Sequence, residues 1–168
     1  MRLMHLRPGI PADVPVIVEL ERDCPTAAHW TEQQYRQAVE LDRDDAQRLV
    51  LVAEVASPDR PARDLRSSLA GFLVARHIGV EWELENLVVA PSARRKGVGR
   101  QLLDALLAAA REINSESVFL EVRELNVAAR KLYESAGFQL AGRRKSYYVN
   151  PSEDAVAYRH SLARPFSS

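Results

Sequence analysis

Cysteine is almost missing from this chain of 168 residues: Cys24 stands alone. A single thiol excludes an internal disulfide and any metal site built from several cysteines, and it suits a reducing compartment. His5, His29, His77 and His160 lie in separate segments without ligand spacing, so no metal site is expected. Neither sign of charge is in excess, since Lys plus Arg and Asp plus Glu both number 23. No net field draws the chain to nucleic acid or to an anionic membrane, and any basic patch must be local. Long apolar runs are absent too. The longest in a helical setting, LLDALLAAA, is broken by Asp104 and too short to span a bilayer, and MRLMHLRPGIPADV lacks the apolar segment of a signal peptide. These absences point to a soluble, cytoplasmic protein, expected as a monomer or weak homodimer.

What the chain does contain suits one domain over residues 1–168, with 46% hydrophobic residues to fill a core. Leu3 to Arg7 reads as a strand, and a helix over about 12–22 follows Pro11. Thr31 and Gln34 form a capping box before a second helix, with Trp30 placed to staple onto Tyr35. Strands are expected over Arg48 to Ala56 and Leu69 to His77, separated by a polar loop over 57–68 that reads as mobile. Glu81 to Ala90 is the next strand, Gln101 to about Ile113 a helix, and Ser117 to Arg123 a strand. Asn126 then caps a helix that stops at Gly137, with Phe138 placed for a Schellman contact. Two strands close the chain over about 138–149 and 154–162. The order β-α-α-β-β-β-α-β-α-β-β predicts a mixed α/β sheet with helices on both faces around a β-α-β core over 81–123.

The most informative stretch is RRKGVGR, Arg94 to Arg100, between the run LENLVVAP and the helical run QLLDALLAAAREI. Strand, glycine turn and helix start together make an anion cradle, because unpaired N–H groups of the first helical turn converge there. Gly97 and Gly99 allow close backbone approach and positive φ, and Arg94, Arg95, Lys96 and Arg100 add cationic side chains. A nucleotide-triphosphate loop is excluded because Arg100 and Gln101 stand where Lys and a hydroxyl residue are needed. A dinucleotide turn is disfavoured because Leu102 holds the place of its third glycine. A phosphate or pyrophosphate is the expected guest.

A second constellation lies in FLEVRELNVAARKLYESAGF, residues 119–138. Glu121 sits on an apolar strand, sharing a face with Phe119 and Arg123, where partial desolvation favours a general base unless Arg123 opposes it. Asn126 and Tyr133 are two helical turns apart and face the same way. A base, an amide and a phenol could thus converge on one crevice, the parts that acyl transfer from a thioester to an amine would need. Glu121 would deprotonate the nucleophile, and Tyr133 would protonate the departing thiolate. Read alone, Glu121 is more simply a strand carboxylate paired with Arg123 or a solvated edge residue, and Tyr133 a core phenol with its hydroxyl at the surface. Glu83 and Glu85, on one face of the preceding strand with Leu87 and Val89, offer a competing base.

The segments LVVAP, RRKGVGRQLL, LEVRELNVAARKLYESAGF and RRKSYYVNPSEDAVAYRHSL together resemble the ribosomal-protein-alanine branch of the GNAT superfamily of N-acetyltransferases. The likeness implies a mostly antiparallel mixed sheet, acetyl-CoA as co-substrate without a metal, and a protein N-terminal α-amine as acceptor, possibly that of a ribosomal protein. It also implies backbone contacts to the pantetheine arm from Leu87, Val88 and Val89, and phosphate contacts from Arg95, Lys96, Gly97, Val98, Gly99 and Arg100. Asn126 would touch the cofactor, with Glu121 as base and Tyr133 as acid. Trp30, Glu85, Tyr147 and Tyr148 are candidate acceptor contacts. The branch usually carries Pro-Trp-Ser where this chain has His29-Trp30-Thr31, which bears on the acceptor more than on the donor. A small-molecule amine as acceptor, or acetyl-CoA binding without turnover, remain open alternatives.

Overall fold

The computed structural model describes residues 4–40, 48–55, 69–149 and 152–162. The loop expected over 57–68 lies outside the described residues. Eleven regular elements follow the expected order: β1 (Met4–Pro8), α1 (Val14–Arg22), α2 (Glu32–Glu40), β2 (Arg48–Val55), β3 (Leu69–Ile78), β4 (Glu81–Val89), α3 (Val98–Glu112), β5 (Ser117–Arg123), α4 (Val127–Ser135), β6 (Gln139–Tyr148) and β7 (Glu153–Ser161). The sheet runs β1-β2-β3-β4-β5-β7-β6. β1 with β2, β2 with β3, β5 with β7 and β6 with β7 are antiparallel, while β4 and β5 are parallel, so the fold is mixed α/β and mostly antiparallel. One difference from expectation matters. α3 begins at Val98, three residues before Gln101, so Val98, Gly99 and Arg100 belong to its first turn.

Two compact units make up the chain, one from the residues up to Arg76 with Glu85–Leu102, the other from His77–Leu84 with the residues from Leu103 onward. In the first unit, the apolar face of α1 buries Val14 and Ile17 completely. These pack with Tyr35, Val50, Val52, Phe72 and Val74 in one cluster. Arg7 on β1 grips Asp13 with both guanidinium nitrogens (2.7 and 2.8 Å) and reaches Glu54 at 2.9 Å. These two carboxylates hold the Arg7 guanidinium firmly protonated, far above any physiological pH. The capping box of α2 forms: Thr31 N–H donates to Gln34 Oε1 at 2.7 Å and Gln34 N–H to Thr31 Oγ1 at 3.2 Å. The staple forms as well, with the Trp30 and Tyr35 rings 5.3 Å apart.

In the second unit, β5 alternates between a buried face (Val118, Leu120, Val122) and a half-buried face (Phe119, Glu121, Arg123). Its ladder to β7 runs from Ser117↔Ser161 to Arg123↔Ala155. α4 ends in the expected Schellman stop. Phe138 N–H donates to Tyr133 O at 3.0 Å, Gly137 N–H donates to Glu134 O at 3.1 Å, and Gly137 has φ +93°. The Phe138 ring then packs on Tyr133, centroids 5.9 Å apart.

Candidate active site

The cradle lies in the first unit and is a matter of backbone. β4 ends at Val89, a short turn at Pro91–Ala93 follows, and the chain enters α3 through Gly97 at φ +81°. Glycine is needed there for conformation, because a Cβ would meet nothing within 4 Å. Gln101 N–H donates to Gly97 O at 3.0 Å, so the N–H groups of Val98, Gly99 and Arg100 precede the first closed helical turn. The second positive-φ position is Arg95 (φ 62°), not Gly99, which has entered the helix and takes no positive φ. Arg94, Arg95, Lys96 and Arg100 are exposed, and Arg94 Nε donates to Val89 O at 3.4 Å. A cationic rim around the N–H groups that precede the first closed helical turn fits a diphosphate.

Upstream of the cradle, β4 shows strict alternation. Glu81, Glu83, Glu85, Leu87 and Val89 are half-buried, and Trp82, Leu84, Asn86 and Val88 are buried. Glu85 is taken by two arginines. Arg48 Nε and Nη2 each donate to one of its oxygens at 2.9 Å, and Arg76 Nε lies 3.5 Å away. The Arg48 guanidinium also sits over the Trp30 ring, 5.2 Å from its centroid. Trp30 helps to line a pocket of about 320 Å³ together with Glu21, His29, Thr31 and Glu32. His29 takes φ 55°, with Nε2 donating to Pro25 O at 3.0 Å.

Sequence reasoning missed the floor of that pocket. Glu21 is 3% exposed, and its Oε1 accepts from Trp30 N–H (2.8 Å) and Asn86 Nδ2 (3.3 Å). Asn86 also donates to Tyr35 Oη at 2.8 Å. Burial, with Glu21 beside it, pushes the Tyr35 hydroxyl far above the usual phenol range. The signals were present: Asn86 interrupts the apolar face of β4, and Glu21 continues the Val14, Ile17 stripe of α1.

In the second unit Glu121 is half-buried on β5, and its partner is not Arg123. Arg144 Nε on β6 lies 2.9 Å from Glu121 Oε1, while Arg123 lies 3.7 Å from Glu153 and its guanidinium covers the Tyr148 ring at 4.2 Å. β6 lies two strands from β5, beyond β7, and the long Arg144 guanidinium reaches across that strand, so the neighbour two residues along β5 loses to one on another strand. Tyr147 is 49% exposed and Tyr148 half-buried. Burial first, and then the negative charge of Glu121, push the Tyr148 hydroxyl up. Asn126 caps α4, its Oδ1 accepting from Ala129 N–H at 3.2 Å. Tyr133 is 8% exposed, packed between Phe138 and Tyr158. Among the described residues no cluster of His, Cys, Asp or Glu suits a metal ion, and no helix is long and apolar enough to cross a membrane.

Residues 14–138 match the acetyltransferase (GNAT) family. The chain belongs to that family. It is therefore an acetyl-CoA-dependent N-acetyltransferase. It is 37% identical over 118 residues to the N-alpha-acetyltransferase RimI of Mycobacterium tuberculosis, covering 67% of this chain and 73% of that protein. It is 38% identical over 90 residues to the [ribosomal protein bS18]-alanine N-acetyltransferase of Escherichia coli, covering 52% of this chain and 61% of that enzyme. The crystal structure of the ribosomal-protein-S18-alanine N-acetyltransferase from Escherichia coli superposes with a TM-score of 0.75 at 25% identity, over 99% of both chains.

Proposed function

We propose that this GNAT enzyme acetylates the α-amine of a protein N-terminus, with Glu121 as general base and Tyr133 as general acid. Acetyl-CoA supplies the activated acetyl group. Its diphosphate is held by the N–H groups of Gly97, Val98 and Gly99 with Arg94, Arg95, Lys96 and Arg100 around them, and its pantetheine arm by the backbone of Leu87, Val88 and Val89. Asn126, with Oδ1 committed to its cap, offers its amide NH₂ to the cofactor. Glu121 takes a proton from the acceptor ammonium, whose pKa is about 8, so that the nitrogen lone pair can attack the thioester carbonyl carbon. As the carbon–sulfur bond breaks, Tyr133 gives its proton to the departing sulfur, the acylated nitrogen gives up its surplus proton to water, and water reprotonates the Tyr133 phenolate. Trp30 in the first unit, and Tyr147 and Tyr148 in the second, are each candidate aromatic contacts for the acceptor.

The contrast between two strand carboxylates carries the choice of base. Glu85 is 11% exposed and held through both oxygens by Arg48, and parting such a pair costs about 3–5 kcal/mol. Glu121 is held by Arg144, which is 63% exposed, and a solvated pair of this kind contributes about 0.2–1 kcal/mol. An incoming ammonium can therefore replace Arg144 at Glu121 far more readily than Arg48 at Glu85. Glu85 then serves to fix Arg48 under Trp30. The relatives named for alanine acetylation of a ribosomal protein support a small first residue on the acceptor. The test is coenzyme A release with a panel of peptides beginning in alanine or other small residues, beside polyamines and amino acids. Peptide-dependent release is expected, lost in Glu121→Gln. Release with small amines alone would overturn the acceptor, and a flattened pH–rate profile in Glu85→Gln instead of Glu121→Gln would overturn the base.

A further inference from the structure

We infer that Tyr158 is a positioning residue that sets the acid Tyr133 against the strand carrying the base, an inference that rests on the roles proposed for Tyr133 and Glu121. Tyr158 lies on β7 and is 1% exposed. Its backbone pairs with Leu120, next to Glu121, so it is tied directly to β5. Its side chain is tied to α4. Tyr158 Oη donates to Glu134 Oε1 at 2.6 Å and accepts from Arg130 Nε at 2.9 Å. Glu134 follows Tyr133 in sequence, and Arg130 precedes it by three residues, so both grips fall on the turn of helix that carries the acid. Arg130 Nη1 also donates to Glu124 O at 3.0 Å, in the turn between β5 and α4. The Tyr158 and Tyr133 rings are in contact, centroids 6.3 Å apart.

One phenolic oxygen thus joins the base strand to the acid helix through two charge-assisted bonds. Without it α4 retains its Asn126 cap, its Schellman stop and the ring packing, so the helix persists. What it loses is the fixed distance from β5. Burial and the bond to Glu134 push the Tyr158 hydroxyl up, so it remains a donor wherever the enzyme works. Proton transfer depends on sub-ångström placement, and a shift of about 1 Å from a remote change costs about 100-fold.

The experiment is Tyr158→Phe, assayed for turnover with an accepted peptide, for acetyl-CoA affinity by calorimetry, for the pH profile of turnover and for melting temperature. Turnover is expected to fall ~10- to 100-fold with acetyl-CoA affinity unchanged and the alkaline limb of the profile displaced, because the acid is misplaced and not removed. A lower melting temperature with wild-type turnover and profile would overturn the inference. The second pair is Glu134→Ala and Glu134→Gln, at an exposed position where folding is not at risk. Alanine is expected to reproduce the loss and add nothing on top of Tyr158→Phe, while glutamine, which still offers an oxygen acceptor, loses less. Additive losses would overturn the coupling. Full turnover in Tyr133→Phe would remove the acid assignment and this inference together. A dead Tyr133→Phe beside an unimpaired Tyr158→Phe would remove the inference alone.

Discussion

The starts of α3 and α4 are built in opposite ways. α3 follows Gly97, which has no side chain to cap with, and the arginines and lysine beside its first turn are exposed. α4 follows Asn126, whose side chain closes the first turn, and its far end is closed by the Gly137 stop. A glycine in place of a capping side chain costs only about a few tenths of a kcal/mol. α3 tolerates that because it is 15 residues long and buries Leu102, Leu103, Leu106 and Leu107, each stabilising by roughly 2 kcal/mol. α4 has nine residues and needs both ends finished. Under the proposed roles, the start of α3 offers backbone to an anion and α4 offers a side chain to the chemistry. Binding and catalysis should therefore separate cleanly between the two.

The largest expected effect is at α4. Tyr133→Phe keeps the ring on Phe138 and Tyr158 and removes the hydroxyl proposed as the acid, so turnover should drop ~100- to 10,000-fold while acetyl-CoA affinity stays near wild type. Steady-state rates and calorimetry measure the two separately, and a parallel loss of affinity would break the contrast. The complementary change is at α3. Gly97→Val forces a β-branched residue to φ +81°, a strain of about 1–2 kcal/mol that the turn escapes by leaving the cradle geometry. Acetyl-CoA affinity should weaken about tenfold, since about 1.4 kcal/mol is a factor of ten, with turnover at saturation little changed. Gly97→Asn, which tolerates the left-handed region, should retain more of the affinity than Gly97→Val. Equal losses for the two would mean that space, not conformation, is what glycine provides.

Local features were legible from sequence because their physics is local. The Thr31–Gln34 box, the Trp30 staple, the Asn126 cap and the Gly137–Phe138 stop all involve residues within five positions of each other, and each forms as expected. The element order and the alternation of β4 followed from periodicity in the same way. The start of α3 was placed late because glycine and arginine read as a turn, yet a helix stabilised by its buried leucines extends back over them. Contacts between distant segments were not legible. Glu21 meets Asn86 across 65 positions and Tyr158 meets Glu134 across 24, and nothing in either segment announces the register that joins them. The partner of Glu121 was not legible for the same reason, since the pairing of β6 with β7, not the pattern within β5, delivers Arg144.

The smallest effect sharpens the contrast through pH. Backbone N–H groups at the start of α3 do not titrate, but α4 is held to the sheet by a phenol. The folded state raises the Tyr158 hydroxyl above its ordinary value of 10.0. Below about pH 10 the phenol is neutral in folded and unfolded chains alike, and its bonds stabilise the fold in full. Above that the unfolded chain ionises first, so stability declines as pH rises through the folded value. Tyr35 and Tyr148 are raised as well and contribute to the same slope, which makes the difference between wild type and Tyr158→Phe the informative quantity. Melting temperatures from pH 8 to about pH 11 should fall less steeply in Tyr158→Phe, relative to its own value at pH 8, than in the wild type. Identical slopes would mean that Tyr158 ionises alike in both states and that its bond to Glu134 holds nothing.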